Sequence, residues 1–290
     1  MITGDVGTVG TRELLFVGGA HGRCGTTLLK RLLCSHPAVT QVVPGESRLW
    51  EAIAELRPSL AAECPFYAPV RSARLMDEFR RRIRDGFGDT SRVNAALDCF
   101  GSAIGATAIR GSQAPPRLHA PAIGRERLDA ALQQLCSALL DAPEAAPEVT
   151  HICEKTPSNA QFAELVLTVC PDARLIVMTR DPFDVALSHT QRPWGPRDPI
   201  DAAAYTRHYF RRWERIKARL NPVRFLEVDH AQLVREPQAT LYAVLGFAGL
   251  TLHEPLLALA SALIREPISR RHTLDDQTRH AMDAILESAS

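Results

Sequence analysis

The sequence predicts an α/β fold in which a central parallel sheet is flanked by helices to make three layers. Three observations lead there. An apolar run, Leu14-Leu15-Phe16-Val17, passes through a Gly-containing loop into Thr26-Thr27-Leu28-Leu29-Lys30. Three later segments, beginning at His151, Arg174 and Arg224, repeat the order of strand, turn and helical stretch, the alternation by which parallel strands are joined. The 290 residues are 46% hydrophobic, enough for one sizeable core. The chain therefore reads as one domain over 1–290 with a helical and loop insertion around 57–148.

Residues 13–18 form the first strand and 26–34 the first helix. Ser35-His36-Pro37 ends that helix, because proline disfavours helical geometry in the residue before it. Val39 to Val43 is a short strand, and the chain turns helical after Glu46 to about Leu56. Over 70–86 the apolar residues fall at 75, 76, 79 and 83, which gives a helix with one apolar face and a dense arginine face. The stretch from Gly101 to Gly124 is rich in Gly, Ala and Pro without a period, so it is expected to be a long loop, a candidate lid. Residues 125–141 are helical. Strands at 151–153, 174–179 and 224–228 follow, each leading to a helical stretch, at 158–169, 182–191 and 236–247.

Composition excludes several classes. The 34 basic and 33 acidic residues leave a net charge of +1, so bulk charge implies no nucleic-acid or membrane partner. MITGDVGTVGTR has no basic start followed by an apolar stretch, and no window approaches 18 uninterrupted apolar residues, so a cytoplasmic location is expected. Seven cysteines (24, 34, 64, 99, 136, 153, 170) show no CxxC spacing, which favours reduced thiols over a zinc site or disulfide framework. Cys24 stands apart, since a thiolate near a helix N-terminus is stabilised.

"AHGRCGTTLL", residues 20–29, lies between a strand and a helix and is P-loop-like. Backbone N–H groups and the positive end of the following helix favour an anion there. Gly25 lets the backbone approach it, Thr26 and Thr27 offer hydroxyls, and Arg23 supplies a fixed cation. Against G-x-x-x-x-G-K-[ST], however, the first glycine is Ala20 and the lysine is Thr26. The clamp for the β/γ-phosphates of a triphosphate is missing, which makes an ATP-dependent kinase a poor fit. A second anion site is suggested by Arg180 at a strand end and Ser188 on the next helix, where residues 184, 188 and 192 share a face.

Taken in order, "GRCGTTLLKRLLCSHPAV", "GESR", "EKTP", "RDPFDVALSHTQR" and "DHAQLVREP" resemble the sulfotransferases that use 3′-phosphoadenosine 5′-phosphosulfate (PAPS). Within them the likeness is closest to tyrosylprotein sulfotransferases of a short, soluble bacterial type. It covers about 14–47 and 150–250. The resemblance implies the sulfotransferase fold, PAPS as co-substrate without a metal, and a homodimer. It also implies that Arg23, Cys24, Gly25, Thr26 and Thr27 surround the 5′-phosphosulfate, and that Arg180, Ser188 and Arg192 hold the 3′-phosphate. Glu46 takes the place of the general base, Arg48 that of a contact to an acidic peptide, and Lys155 that of the lysine on the bridging oxygen or sulfonate. Ser269 and Arg270 match a loop closing over the nucleotide, with Ser269 a donor to the leaving-group oxygen. His36 stands in a His-Pro pair that is structural in the tyrosylprotein enzymes and ranks below Glu46 as a base. His230 and Ala231 depart from the family pattern, which has tyrosine and an acid there.

Sulfuryl transfer needs in-line positioning, charge stabilisation and a base for the attacking hydroxyl. The resulting expectation is transfer of the PAPS sulfonate to the tyrosine hydroxyl of an acidic peptide or protein, with the arginine face over 71–84 helping to bind it. A carbohydrate or small-molecule hydroxyl is the alternative acceptor, and an inactive nucleotide-binding protein the second alternative.

Overall fold

The structure is a computed structural model that describes residues 12–60, 69–109, 117–142, 145–265 and 271–287. The expected positions Ser269 and Arg270 lie outside the described residues. Along the chain the first elements are β1 (Glu13–Gly19), α1 (Thr26–Leu33), β2 (Val39–Gln41), α2 (Leu49–Leu60), α3 (Pro69–Phe87) and α4 (Ser91–Ala103). They are followed by β3 (Thr107–Ile109), β4 (Arg117–His119), α5 (Arg125–Leu140), β5 (His151–Lys155), α6 (Ala163–Val169), β6 (Arg174–Thr179) and α7 (Pro182–Thr190). The last are α8 (Pro199–Lys217), β7 (Phe225–Asp229), α9 (His230–Arg235), α10 (Pro237–Ala248), α11 (Glu254–Leu263) and α12 (Asp276–Glu287).

Five strands form one sheet in the order β2-β5-β1-β6-β7, and every pairing in it is parallel. Side chains alternate across the pleat, so each strand feeds two cores. Leu15, Val17, Ile176 and Met178 pack with α1, α10 and α11 on one face. Phe16, Leu175 and Val177 pack on the other face with Trp50, Phe79, Leu97, Leu132 and Trp213, which α2, α3, α4, α5 and α8 bring in. The predicted three-layer architecture is thus the one observed. The described parts of the 57–148 segment lay their apolar faces into the same core as the sheet.

The structure corrects the expected 101–124 loop. Its start is the last turn of α4, and β3 and β4 form an antiparallel pair within it. Ala120 and Ile123 are buried, and Ile123 N–H donates to Leu60 O at 2.9 Å, so the 120–123 end of this segment is packed into the core. Thr90 caps α4 by accepting from Val93 N–H at 3.2 Å; small residues around Gly101 obscure the helical period of Val93, Ala96, Leu97 and Phe100. The predicted helix at 158–169 is split into a 3-10 turn, Pro157–Phe162, and α6.

Candidate active site at the carboxyl ends of the strands

The chain enters the sheet at β1, builds β2 and β5 to one side, then crosses to β6 and β7 on the other. Loops at the carboxyl ends of β5, β1 and β6 diverge there, which is where open α/β sheets bind ligands. A cavity of about 600 Å³ opens at that point. Its floor is the 19–27 loop, one wall carries Glu46, Arg48, Glu51 and Ser158, and the other carries His189, Trp194, Tyr205 and Tyr209.

The floor is an anion cradle. Gly25 has φ +94° and is the N-cap of α1 without a side-chain cap, so the first N–H groups of the helix have no partner within it. A Cβ on Gly25 would lie 2.7 Å from the His230 ring, which leaves glycine as the residue that fits. Arg23 also takes a positive φ, 73°. Thr26 and Thr27 line the cavity. Cys24 does not: its side chain is fully buried in the apolar core. Burial pushes its thiol up to about 12, so the stabilised thiolate considered from the sequence is absent, and Cys24 has only its backbone to offer an anion.

A second, smaller cavity of about 220 Å³ lies beside the first, lined by Arg23, Arg180, Asp184, Ser188 and Arg192. Arg23 Nε donates to Ser188 Oγ at 3.1 Å, so this arginine borders both cavities. Burial lowers its pKa, and the nearby Arg192 and Arg180 lower it further. Asp184 lies 3.5 Å from Arg180, leaving one carboxylate among three guanidiniums. Such an excess of fixed cations with a hydroxyl suits a phosphate dianion. Three residues predicted to hold the 3′-phosphate thus come together around one cavity.

Glu46 and Lys155 meet although they are far apart in the chain. Lys155 Nζ donates to Glu46 Oε1 at 2.8 Å. Lys155 is buried behind Glu46, which lines the cavity itself. The neighbouring Glu154 is a buried junction: Oε1 accepts from Ser47 Oγ and Thr156 Oγ1, each at 2.8 Å, and Oε2 accepts from Asn159 Nδ2 at 2.7 Å. Arg48 N–H donates to Thr156 Oγ1 at 3.2 Å. These bonds hold the 46–48 loop to the end of β5. From the other side α3 comes so close that a Cβ on Gly86 would lie 2.1 Å from Ser47 O. Arg48 lines the main cavity, as an acceptor contact would require.

Sequence reasoning missed the aromatic wall. His21 stacks on His189 with centroids 4.3 Å apart and on Tyr209 at 4.4 Å. Burial pushes the His21 imidazole down to about 3 and that of His189 to about 4, so both rings are neutral near pH 7. Glu154 was visible in "EKTP" but had no signal of its role, since its partners are contributed by two separate segments. His36 is structural: Nδ1 accepts from Ala38 N–H at 3.1 Å and Nε2 lies 3.0 Å from Thr251 O.

The α3 arginines present a different surface from the expected basic face. Arg80 pairs with Asp98 at 2.7 Å, Arg81 with Glu78 and Asp85, and Arg82 with Glu55 and Glu78. Arg84 donates to Asn94 Oδ1 at 2.9 Å. The charges of Arg80, Arg81 and Arg82 are met by acids of the chain itself. Among the described residues no group of three or more His, Cys, Asp or Glu is placed to hold a metal ion, and no helix is long and apolar enough to cross a membrane.

Among solved structures the chain is similar to sulfotransferase STF9 from Mycobacterium avium, at 18% identity and TM-score 0.49, covering 97% of this chain and 77% of that one. It is also similar to sulfotransferase STF1 from Mycobacterium tuberculosis H37Rv, at 16% identity and TM-score 0.49, covering 97% and 78%. A sulfotransferase from Alicyclobacillus acidocaldarius matches at 14% identity and TM-score 0.47, covering 96% and 92%. No curated protein sequence matches it. The model of the sulfotransferase family matches residues 15–254, a span that holds the 19–27 loop, Glu46, Lys155 and the Arg180 cluster; the chain belongs to the sulfotransferase family.

Proposed function

We propose that this sulfotransferase passes the sulfonate of PAPS to a phenolic hydroxyl, with Glu46 accepting the hydroxyl's proton. Family membership implies PAPS as the donor, and the two adjoining cavities suit its two anionic ends. The 19–27 loop and Arg23 would hold the 5′-phosphosulfate, and Arg180, Ser188 and Arg192 the 3′-phosphate. When bound, PAPS supplies the activated sulfonate.

The observation that carries the reading is the Glu46–Lys155 contact at 2.8 Å on the wall of the cavity whose floor is the anion cradle. A phenol, with a pKa of about 10, yields its proton to a carboxylate only as its new bond forms. As Glu46 takes that proton its attraction for Lys155 Nζ falls. The ammonium is then free to meet negative charge in the cavity. Burial lowers the basicity of the His21 and His189 rings, which makes them weak proton acceptors.

A tyrosine in an acidic peptide is the first acceptor we propose, resting on Glu46-Ser47-Arg48 and on Arg48 lining the cavity. A small hydroxylated molecule is the second, favoured by the pairing of Arg80, Arg81 and Arg82 with acids of the chain, which lowers the charge that they could offer an acidic peptide. A homodimer is the assembly we propose. Incubation with labelled PAPS, an acidic tyrosine peptide, its phenylalanine counterpart and a panel of small phenols and sugars tests the reading. Label on the tyrosine peptide alone supports the first acceptor, label on small phenols the second, and label on none of them overturns the reading.

A further inference from the structure

Lys30 lies in α1 yet is only 5% exposed. Its ammonium donates to three successive carbonyls of another segment: Val43 O at 2.9 Å, Pro44 O at 2.9 Å and Gly45 O at 3.2 Å. An ammonium has three N–H donors and no acceptor, so this set uses all of them. A buried ammonium without such partners is strongly unfavourable, and the carbonyl of buried Val43 would lose its partner as well. The contact therefore ties the 43–45 segment to α1 through the one group that most needs it, the Lys30 ammonium.

Glu46 is the next residue. Downstream of it, Ser47 and Arg48 are bonded to Glu154 and Thr156 at the end of β5. Upstream, Lys30 ties the backbone to α1, whose N-terminus is the anion cradle. Lys30 follows Thr26 by four residues, about 6 Å along the helix axis. One rigid turn of helix thus sets the distance between the cradle and the loop that presents Glu46. We infer that Lys30 is a positioning residue: by clamping the 43–45 carbonyls it fixes Glu46 against the anion cradle, so that the base and the sulfonate donor share one frame. This rests on the proposed role of Glu46 as base, and it is independent of which hydroxyl is the acceptor.

The test uses the full chain as wild type, Lys30→Met, Lys30→Arg, Glu46→Gln and the double variant Lys30→Met/Glu46→Gln. Affinity for the bisphosphate product is read by calorimetry, and kcat and KM by transfer of labelled sulfonate from PAPS to 4-nitrophenol. Amide exchange is followed at Ser47 and Arg48. Lys30→Met is expected to lower kcat roughly 10–100-fold, the scale of a small misplacement of a reacting group. Product affinity is expected to stay within about threefold, with faster exchange at Ser47 and Arg48. Lys30→Arg, which keeps several donors, restores most of kcat. Added to Glu46→Gln, the Lys30→Met change costs no further activity, because both act through one group. Losses that multiply in the double variant, or a kcat unaffected in Lys30→Met, overturn the inference. If Lys30→Met does not fold, Lys30→Gln, with two donors instead of three, is read by the same outcomes. If wild type binds the bisphosphate but transfers nothing to any acceptor, the enzymatic reading fails instead. Exchange then decides the clamp: acceleration confined to 43–48 supports it and unchanged exchange removes it.

Discussion

Lys155 Nζ rests 2.8 Å from Glu46 Oε1, joining the end of β5 to the loop before α2 across a sequence separation of 109 residues. The proposed base and the proposed charge-stabilising lysine thus share one contact. Glu46→Gln is expected to lower kcat by roughly 10²–10⁴ with nucleotide affinity unchanged. Lys155→Ala is expected to lower it by about 10²–10³. Single-turnover transfer of labelled sulfonate, with product binding followed by calorimetry, checks both. A loss of affinity as large as the loss of rate would make these residues part of the nucleotide site.

Arg180 and Arg192 line the smaller cavity with Ser188, and the role proposed for them is discrimination between nucleotides with and without a 3′-phosphate. Charge-assisted bonds to a phosphate contribute about 1.5–3 kcal/mol each. Arg180→Ala is expected to weaken binding of 3′,5′-bisphosphoadenosine about 10–100-fold and leave 5′-AMP almost unaffected. Titration calorimetry with the two nucleotides gives the ratio. Equal losses for both would move Arg180 away from the 3′-phosphate.

Gly25 couples loop geometry to stability. With φ +94° and the His230 ring 2.7 Å from an added Cβ, Gly25→Ala strains the backbone and displaces His230. A destabilisation of about 1–3 kcal/mol is expected in denaturant unfolding, together with weaker nucleotide binding. Unchanged stability would mean that the loop relaxes freely.

Glu154 is 2% exposed and accepts from Ser47, Thr156 and Asn159 side chains. Glu154→Ala leaves those donors without their acceptor in a dry site, at an expected cost of about 2–4 kcal/mol. Glu154→Gln, which keeps one carbonyl oxygen, costs less. Urea melts of the three proteins rank them.

His21 and His189 set a pH dependence of stability. Burial lowers their pKa values to about 3 and about 4, from 6.5 when exposed. Between those values and 6.5 the unfolded chain binds more protons than the folded one, so stability rises with pH in that window and falls on acidification through it. Above 6.5 neither residue contributes a slope. Urea midpoints measured from pH 7 to pH 4 are expected to drop, and His189→Phe is expected to flatten the drop. A slope unaffected by this change would assign it to carboxylates.

Much of the fold was legible because its signals are local. β6 occupies the predicted 174–179 range, bounded by charged and turn residues around a continuous apolar run. The Gly25 loop was visible from its place between a strand and a helix. Long α8 went unassigned although Asp198 caps it and Pro199 opens it, a pairing that marks helix starts. Its buried face, Ala202, Ala203, Thr206, Trp213 and Ile216, is made largely of small and polar residues, so its period is weak. The 101–124 segment was misread for a similar reason: glycine and alanine fill close packing positions as well as loops.

By itself the sequence determined the strands of the central sheet and the Gly25 loop between β1 and α1, because strand alternation, helix ends and glycine geometry depend on neighbours a few positions away. Only the tertiary structure decided what each charge does. Lys30 and Arg80 read as ordinary cations and Lys155 as a lysine for the bridging oxygen or sulfonate; in the fold Lys30 meets three carbonyls, Arg80 is neutralised by Asp98 and Lys155 rests on Glu46. A charge takes its role from whichever opposite charge or dipole is nearest within a few ångströms, and folding brings those partners from 13 to 109 residues away.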